Sequence, residues 1–137
     1  MAKLLSIIVP VYNEEGNVKT LYLELKQVLS SLVKNKSILN YEVIFVDDGS
    51  RDKTFEALLA IKEPQLKIIQ LRKNFGQTPA LKAGFDEAKG ELIVTMDGDL
   101  QNDPADIPRL IEKLTEGYDV VSGWRFARQD KFGKRIS

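Results

Sequence analysis

Asp97-Gly98-Asp99 places two carboxylates two residues apart. That spacing lets both reach one side of a site, where they can hold a divalent cation directly or through the phosphates of a ligand. A second acidic group is Asp47-Asp48-Gly49-Ser50, and a third is Tyr12-Asn13-Glu14-Glu15 after Pro10-Val11. The chain contains no His and no Cys. Imidazole ligands, thiolate sites, disulfides and a Ser-His-Asp triad are therefore excluded. Catalysis must rest on carboxylates, cations, hydroxyls and backbone, and a bound metal must be a hard cation held by oxygen, Mg²⁺ or Mn²⁺. Neither Gly-x-x-x-x-Gly-Lys-[Ser/Thr] nor Gly-x-Gly-x-x-Gly is present, so the familiar glycine-rich phosphate loops are absent.

Each cluster also has a plain structural use. Asp-Gly is a hairpin signal, but residues 100–106 lead to a proline-started helix rather than to a second strand. Asp47-Asp48-Gly49-Ser50 would serve as a turn; beside the Asp97 cluster, ligand contact is favoured for Asp47, while Asp48 either orients the loop or helps with the ligand. Pro10 ends a strand, and Tyr12 offers an aromatic face for a base, or the stretch is simply a strand-to-helix corner. Arg72, Lys73 and Asn74-Phe75-Gly76 form either a solvated loop or part of the site. Arg125 and Arg128 are expected on the same edge as the acids, where arginine suits bidentate phosphate contact. Lys131 and Lys134 read as a charged tail.

The elements that position these residues follow from periodicity. Apolar, β-branched runs at 4–9, 43–46 and 92–96 directly precede the three acidic clusters. Such runs suit strands covered on both faces, as in a parallel sheet. Leu66 begins a further strand over 66–71, and 119–122 is a short fifth one. Val18, Leu21, Tyr22, Leu25, Val28, Leu29 and Leu32 recur at three- and four-residue spacing within a helix over 16–33. A second helix covers 53–61. Thr78-Pro79 opens a third, with threonine as cap and proline in the first turn, and Asp103-Pro104 opens a fourth. After Gly123 the pattern fades.

This alternation predicts an α/β, Rossmann-like, doubly wound, mostly parallel sheet. With strand order 3-2-1-4, the switch point falls between strands one and four, where ligands of such sheets bind beyond the carboxyl ends. Tyr12–Glu14 and Asp97–Asp99 would flank that crevice, with Asp47 beside them. The 137 residues, 1–137, form one domain. Lys+Arg and Asp+Glu balance at 20 each, so no overall field draws nucleic acid. No stretch approaches the roughly 20 apolar residues of a membrane span, and the start does not read as a signal peptide. The chain itself is expected to be soluble and intracellular.

Val9-Pro10-Val11-Tyr12-Asn13-Glu14, Val46-Asp47-Asp48-Gly49-Ser50, Asn74-Phe75-Gly76-Gln77 and Met96-Asp97-Gly98-Asp99-Leu100-Gln101 occur in an order and spacing that resembles family 2 glycosyltransferases. Asn102-Asp103-Pro104, Val121-Ser122-Gly123-Trp124-Arg125 and Lys134-Arg135-Ile136-Ser137 sharpen the resemblance to the branch that glycosylates polyprenyl phosphates, dolichol-phosphate mannosyltransferase-like enzymes among them. The resemblance implies a GT-A fold and a nucleotide-sugar donor. Pro10, Tyr12, Glu14 and Asp47 would contact the nucleoside. Asp97, Gly98 and Asp99 would form the D-x-D motif, meeting the diphosphate through Mg²⁺ or Mn²⁺. Arg125 would meet phosphate and act with Asp99 in catalysis, and Arg135 would lie near the lipid phosphate. The acceptor would be a polyprenyl phosphate at the cytoplasmic face of a membrane.

The resemblance also makes the chain the N-terminal part of a longer catalytic domain, with its membrane helices absent. Apolar surface left uncovered would favour self-association into a homo-oligomer. Two alternatives stand beside this reading: transfer to a glycan hydroxyl, and a truncated, inactive nucleotide-binding module. A receiver domain fits less well, since Ser122-Gly123-Trp124 stands where its lysine belongs. A D-x-D phosphatase normally carries its motif after the first strand, not the fourth.

Overall fold

The computed structural model describes residues 3–96, 103–115, 120–121 and 124–128. Its centre is a sheet of six strands in the order β3-β2-β1-β4-β6-β5. These are β1 Leu4–Val11, β2 Asn40–Asp47, β3 Leu66–Gln70, β4 Leu92–Met96, β5 Val120–Val121 and β6 Trp124–Arg128. The first four are mutually parallel, and β6 runs antiparallel to both β4 and β5. The helices are α1 Val18–Lys34, α2 Thr54–Leu59, α3 Gln77–Glu87 and α4 Ile107–Thr115, with a 3-10 turn over Pro104–Asp106 ahead of α4.

The two-residue period of the strands divides the core between two faces. Leu5, Ile7, Val9 and Val11 of β1, with Val43 and Phe45 of β2, pack with Val18, Tyr22, Leu25, Leu29 and Leu32 of α1 and with Ile107 and Ile111 of α4. Ile8, Ile44, Val46 and Ile93 point the other way, onto Ala80 and Phe85 of α3. Helices thus cover both faces, which explains why β1 and β2 read as continuous apolar runs. Gly84 lets α3 approach very closely: a Cβ there would come within 2.4 Å of Ile8 Cγ2.

The expected order of the first four strands is the observed one. Two local expectations change. The third helix begins at Gln77, so Thr78 lies within its first turn, and Gly76 occupies the cap position with no side chain to cap. Trp124–Arg128 is a strand seated between β4 and β5, in the stretch after Gly123 where the sequence pattern fades. Asp103 does cap as expected, its Oδ1 accepting from the Ala105 N–H at 3.0 Å.

One buried polar network sits at the opposite edge from the strands' carboxyl ends. Glu42 of β2 accepts from Ser6 Oγ at 2.5 Å and the Lys89 N–H at 2.6 Å, and pairs with Lys67 Nζ at 2.8 Å. Ser6 Oγ in turn accepts from the Gly90 N–H at 2.8 Å. Burial pushes the Glu42 carboxyl up, but Lys67, the Ser6 hydroxyl and the Lys89 N–H outweigh it and hold it below the ordinary range.

Candidate functional site

The parallel register brings Val11 level with Asp47 at the carboxyl ends of β1 and β2. The chain beyond each turns outward, and the Asp48 N–H donates to the Val11 carbonyl at 2.9 Å. Further contacts zip the two loops together. The Asn13 N–H donates to Ser50 Oγ at 2.8 Å, and Asn13 Oδ1 accepts from the Arg51 N–H at 2.9 Å. The Glu14 N–H donates to Thr54 Oγ1 at 2.8 Å. Asn13 adopts a positive φ of 53°, a conformation asparagine tolerates better than most residues. Asp52 accepts from the hydroxyl and the N–H of Thr54. Desolvation pushes Asp52 up, but those Thr54 bonds and the Glu15 N–H prevail and keep it ionised to lower pH than usual.

A third loop, residues 71–76 after β3, joins this pair through Asp48. Asp48 Oδ1 accepts from the Phe75 N–H at 2.9 Å; Oδ2 accepts from the Gly76 N–H at 3.0 Å and from Asn74 Nδ2 at 3.0 Å. Asn74 Nδ2 also donates to the Asp48 carbonyl at 3.1 Å. Gly49, at φ 70°, lies so close that a Cβ would be 2.1 Å from the Lys73 carbonyl carbon. Only a glycine meets both the left-handed backbone and the close approach.

These loops enclose an open cavity of about 370 Å³, lined by Pro10, Val11, Tyr12, Glu14, Asp48, Asn74, Gly76 and Gln77. Its size falls at the small end of ligand pockets. Tyr12 is 40 % exposed and Phe75 44 %, two aromatic rings at the same end of the sheet. Lys73 Nζ stands 5.2 Å from the centre of the Phe75 ring.

Pro10, Tyr12 and Glu14, expected at the site, line the cavity. Asp47 does not: it is buried, and its Oδ1 accepts from the Ser50 N–H at 3.0 Å, closing the turn. Asp48 lines the cavity in its place. The Arg125 backbone pairs with Thr95, one residue before the carboxyl end of β4. Arg128 pairs with Leu92 at the far end of β4, so the expectation that both arginines share the acidic edge holds for the backbone of Arg125 alone. Asp97, Gly98, Asp99 and Arg135 lie outside the described residues, with Asp97 next in sequence after β4. Sequence reasoning missed the roles of Asn74 and Gln77 in the wall. Their motif was visible, but its partner on the β2 loop was not.

The structure is thus a doubly wound α/β sheet whose cavity lies among the loops that follow β1, β2 and β3, at the carboxyl ends of those strands. The glycosyl transferase family 2 pattern matches residues 6–136, and the chain belongs to that family. It is 42 % identical over 138 residues to the undecaprenyl-phosphate 4-deoxy-4-formamido-L-arabinose transferase of Aeromonas hydrophila, spanning 98 % of this chain and 41 % of that protein. Among solved structures, glucosyl-3-phosphoglycerate synthase from Mycobacterium tuberculosis, in complex with Mn²⁺, UDP and glucosyl-3-phosphoglycerate, superposes with a TM-score of 0.61 at 25 % identity, over 86 % of this chain and 42 % of the other. A mannosyltransferase from Pyrobaculum calidifontis in complex with GDP-Man and Mn²⁺ gives a TM-score of 0.51 at 25 % identity, over 73 % of this chain and 28 % of the other. The fold is GT-A. The chain spans about two-fifths of the length of the curated relatives it matches. No helix among the described residues is long and apolar enough to cross a membrane.

Proposed function

We propose that the chain carries the donor site of a glycosyltransferase that moves a sugar from a nucleotide sugar to a polyprenyl phosphate at the cytoplasmic face of a membrane. The observation that carries this reading is the cavity at the carboxyl ends of β1 and β2, lined by Pro10, Tyr12, Glu14 and Asp48, next to the strand after which Asp97 follows. The names of the curated relatives, transferases to undecaprenyl phosphate, support the acceptor class. Tyr12 offers its ring to the base, and the loops around Glu14 and Asp47 hold the nucleoside. Asp97 and Asp99 would hold Mg²⁺ or Mn²⁺, an assignment supported by an all-oxygen donor set and by Mn²⁺ in both solved relatives. When bound, the metal supplies positive charge against the diphosphate.

The acceptor chemistry suits this chain. A phosphate monoester has its second pKa near about 6, so a lipid phosphate reaches the site already ionised. Its oxygen forms a bond to the anomeric carbon while the bond from that carbon to the nucleoside diphosphate breaks. The bonding pair leaves with the diphosphate, where Arg125 offsets the charge. No proton has to be removed, so the lack of histidine is no obstacle; a hydroxyl acceptor would need a base. Arg135 is assigned to the incoming lipid phosphate. The test is calorimetric titration with UDP and GDP, with and without Mn²⁺, on the wild type and Asp99→Asn. Metal-dependent uptake of one nucleotide, weakened at least about tenfold in the variant, is the expected result. Binding indifferent to both metal and substitution would overturn the metal assignment.

A further inference from the structure

The structure assigns Asp48 the role of a positioning residue: we infer that its carboxylate builds the wall of the donor cavity by clamping the Asn74-Phe75-Gly76 turn, rather than by meeting metal or nucleotide. The inference rests on the donor-site reading above and extends it. Both carboxylate oxygens are already engaged by three donors of that turn, at 2.9 to 3.0 Å. A backbone carbonyl and one more bond from Asn74 close the ring. Bonds to an ionised acceptor are the strong kind, and here two of the three donors are backbone N–H groups adjacent in sequence. The clamp spans 26 to 28 residues of chain and fixes three residues against one side chain. Two of those residues, Asn74 and Gly76, line the cavity, and Gln77 follows them into its wall at the start of α3.

Geometry backs the assignment from the other side. The backbone of Lys73 rests against Gly49, where a Cβ would clash at 2.1 Å. The β2 and β3 loops therefore dock by shape as well as by charge. A neutral amide at position 48 keeps the size of the side chain but turns one oxygen into an NH₂ group. That group faces donors and repels them. Either the Phe75 N–H or the Gly76 N–H then loses its acceptor, because the two donate to different oxygens, and the wall shifts while the sheet beneath it stays packed.

The experiment pairs two readouts on Asp48→Asn, on Asn74→Ala, which removes only the exposed side of the clamp, and on Glu42→Gln, which weakens the sheet at its opposite edge. Amide hydrogen exchange reads the turn directly: Phe75 and Gly76 should exchange slowly in the wild type and in Glu42→Gln, and at least one of the two should exchange at least about tenfold faster in Asp48→Asn. Calorimetry with UDP and GDP in the presence of Mn²⁺ reads the cavity. Affinity should fall about tenfold to a hundredfold in Asp48→Asn, less in Asn74→Ala, and not at all in Glu42→Gln. Asp48→Asn and Asn74→Ala should be less than additive in combination, since they cut one network. Full-strength nucleotide binding by Asp48→Asn overturns the inference alone. A wild type that takes up neither nucleotide overturns the donor-site reading and the inference with it. Equal weakening in Glu42→Gln would reduce Asp48 to a general contributor to stability and overturn its positioning role.

Discussion

Among individual residues, neighbours of like chemistry divide the work. Asp47 and Asp48 are adjacent carboxylates, yet one closes its own turn through the Ser50 N–H and the other reaches across to a different loop. Alternation along the strand end points them in different directions, so composition could name the pair but not assign its members. Tyr12 was legible as an exposed ring because it follows Pro10 at the end of an apolar run. Tyr22 is the reverse case. Its position in the stripe of α1 marked it as core, and it is fully buried, but its hydroxyl has no hydrogen-bond partner among the described residues. Burial, with Tyr41 and Glu63 nearby, pushes its pKa up to about 12. A buried, unpaired hydroxyl costs stability. Tyr22→Phe should therefore raise the unfolding free energy by about 1 kcal/mol in urea titration, with an unchanged slope; a loss instead would reveal a partner for the hydroxyl.

Among elements, legibility follows burial. β1, β2 and β4 are apolar on both faces, and their runs stood out without ambiguity. α1 was readable from its stripe. The start of α3 was displaced by two residues, with the cap at Gly76 rather than Thr78; Gly76 gives its N–H to Asp48, a tertiary contact that no capping rule anticipates. β6 was missed because five residues, two of them arginine, carry a weak period-two signal, and its partners in β4 lie 28 to 36 positions earlier. The contact of α3 with β1 was equally hidden, since Gly84 within a helix looks merely unfavourable. Gly84→Val should cost about 1–3 kcal/mol through overpacking against Ile8. Ile8→Ala, which removes the opposing methyl, should recover part of that loss in the double variant. Strict additivity in a double-mutant cycle would place the strain elsewhere.

On the scale of the molecule, the sheet has two unlike edges. The carboxyl edge carries open loops and a cavity, while the other is tied by Glu42, which links β1, β2, β3 and the turn before β4. Its folded pKa lies below its unfolded one. Its contribution is therefore complete above the unfolded carboxylate range and fades as pH falls through the folded value. At neutral pH Glu42→Gln should lose about 1–3 kcal/mol in urea titration, and the gap to wild type should narrow as the solution is acidified below the carboxylate range. A constant gap at all pH values would show that packing, not ionisation, matters there. The sheet order was legible as a whole because right-handed crossovers leave few ways to wind four parallel strands. The antiparallel return beside β4 was not, because no such rule demands it.

The press of the Lys73 backbone against Gly49 turns chain length into a shared property of two distant segments. Each loop is cut to the other's contour, so neither can gain or lose a residue by itself. Variation in the length of the β2–α2 connection is tolerable only when the β3–α3 connection changes to match. The exposed turn at residues 35–37, which meets no such counterpart, is free to differ. Insertions should therefore accumulate at the edge remote from the cavity, and the loops that shape the cavity should keep a common length.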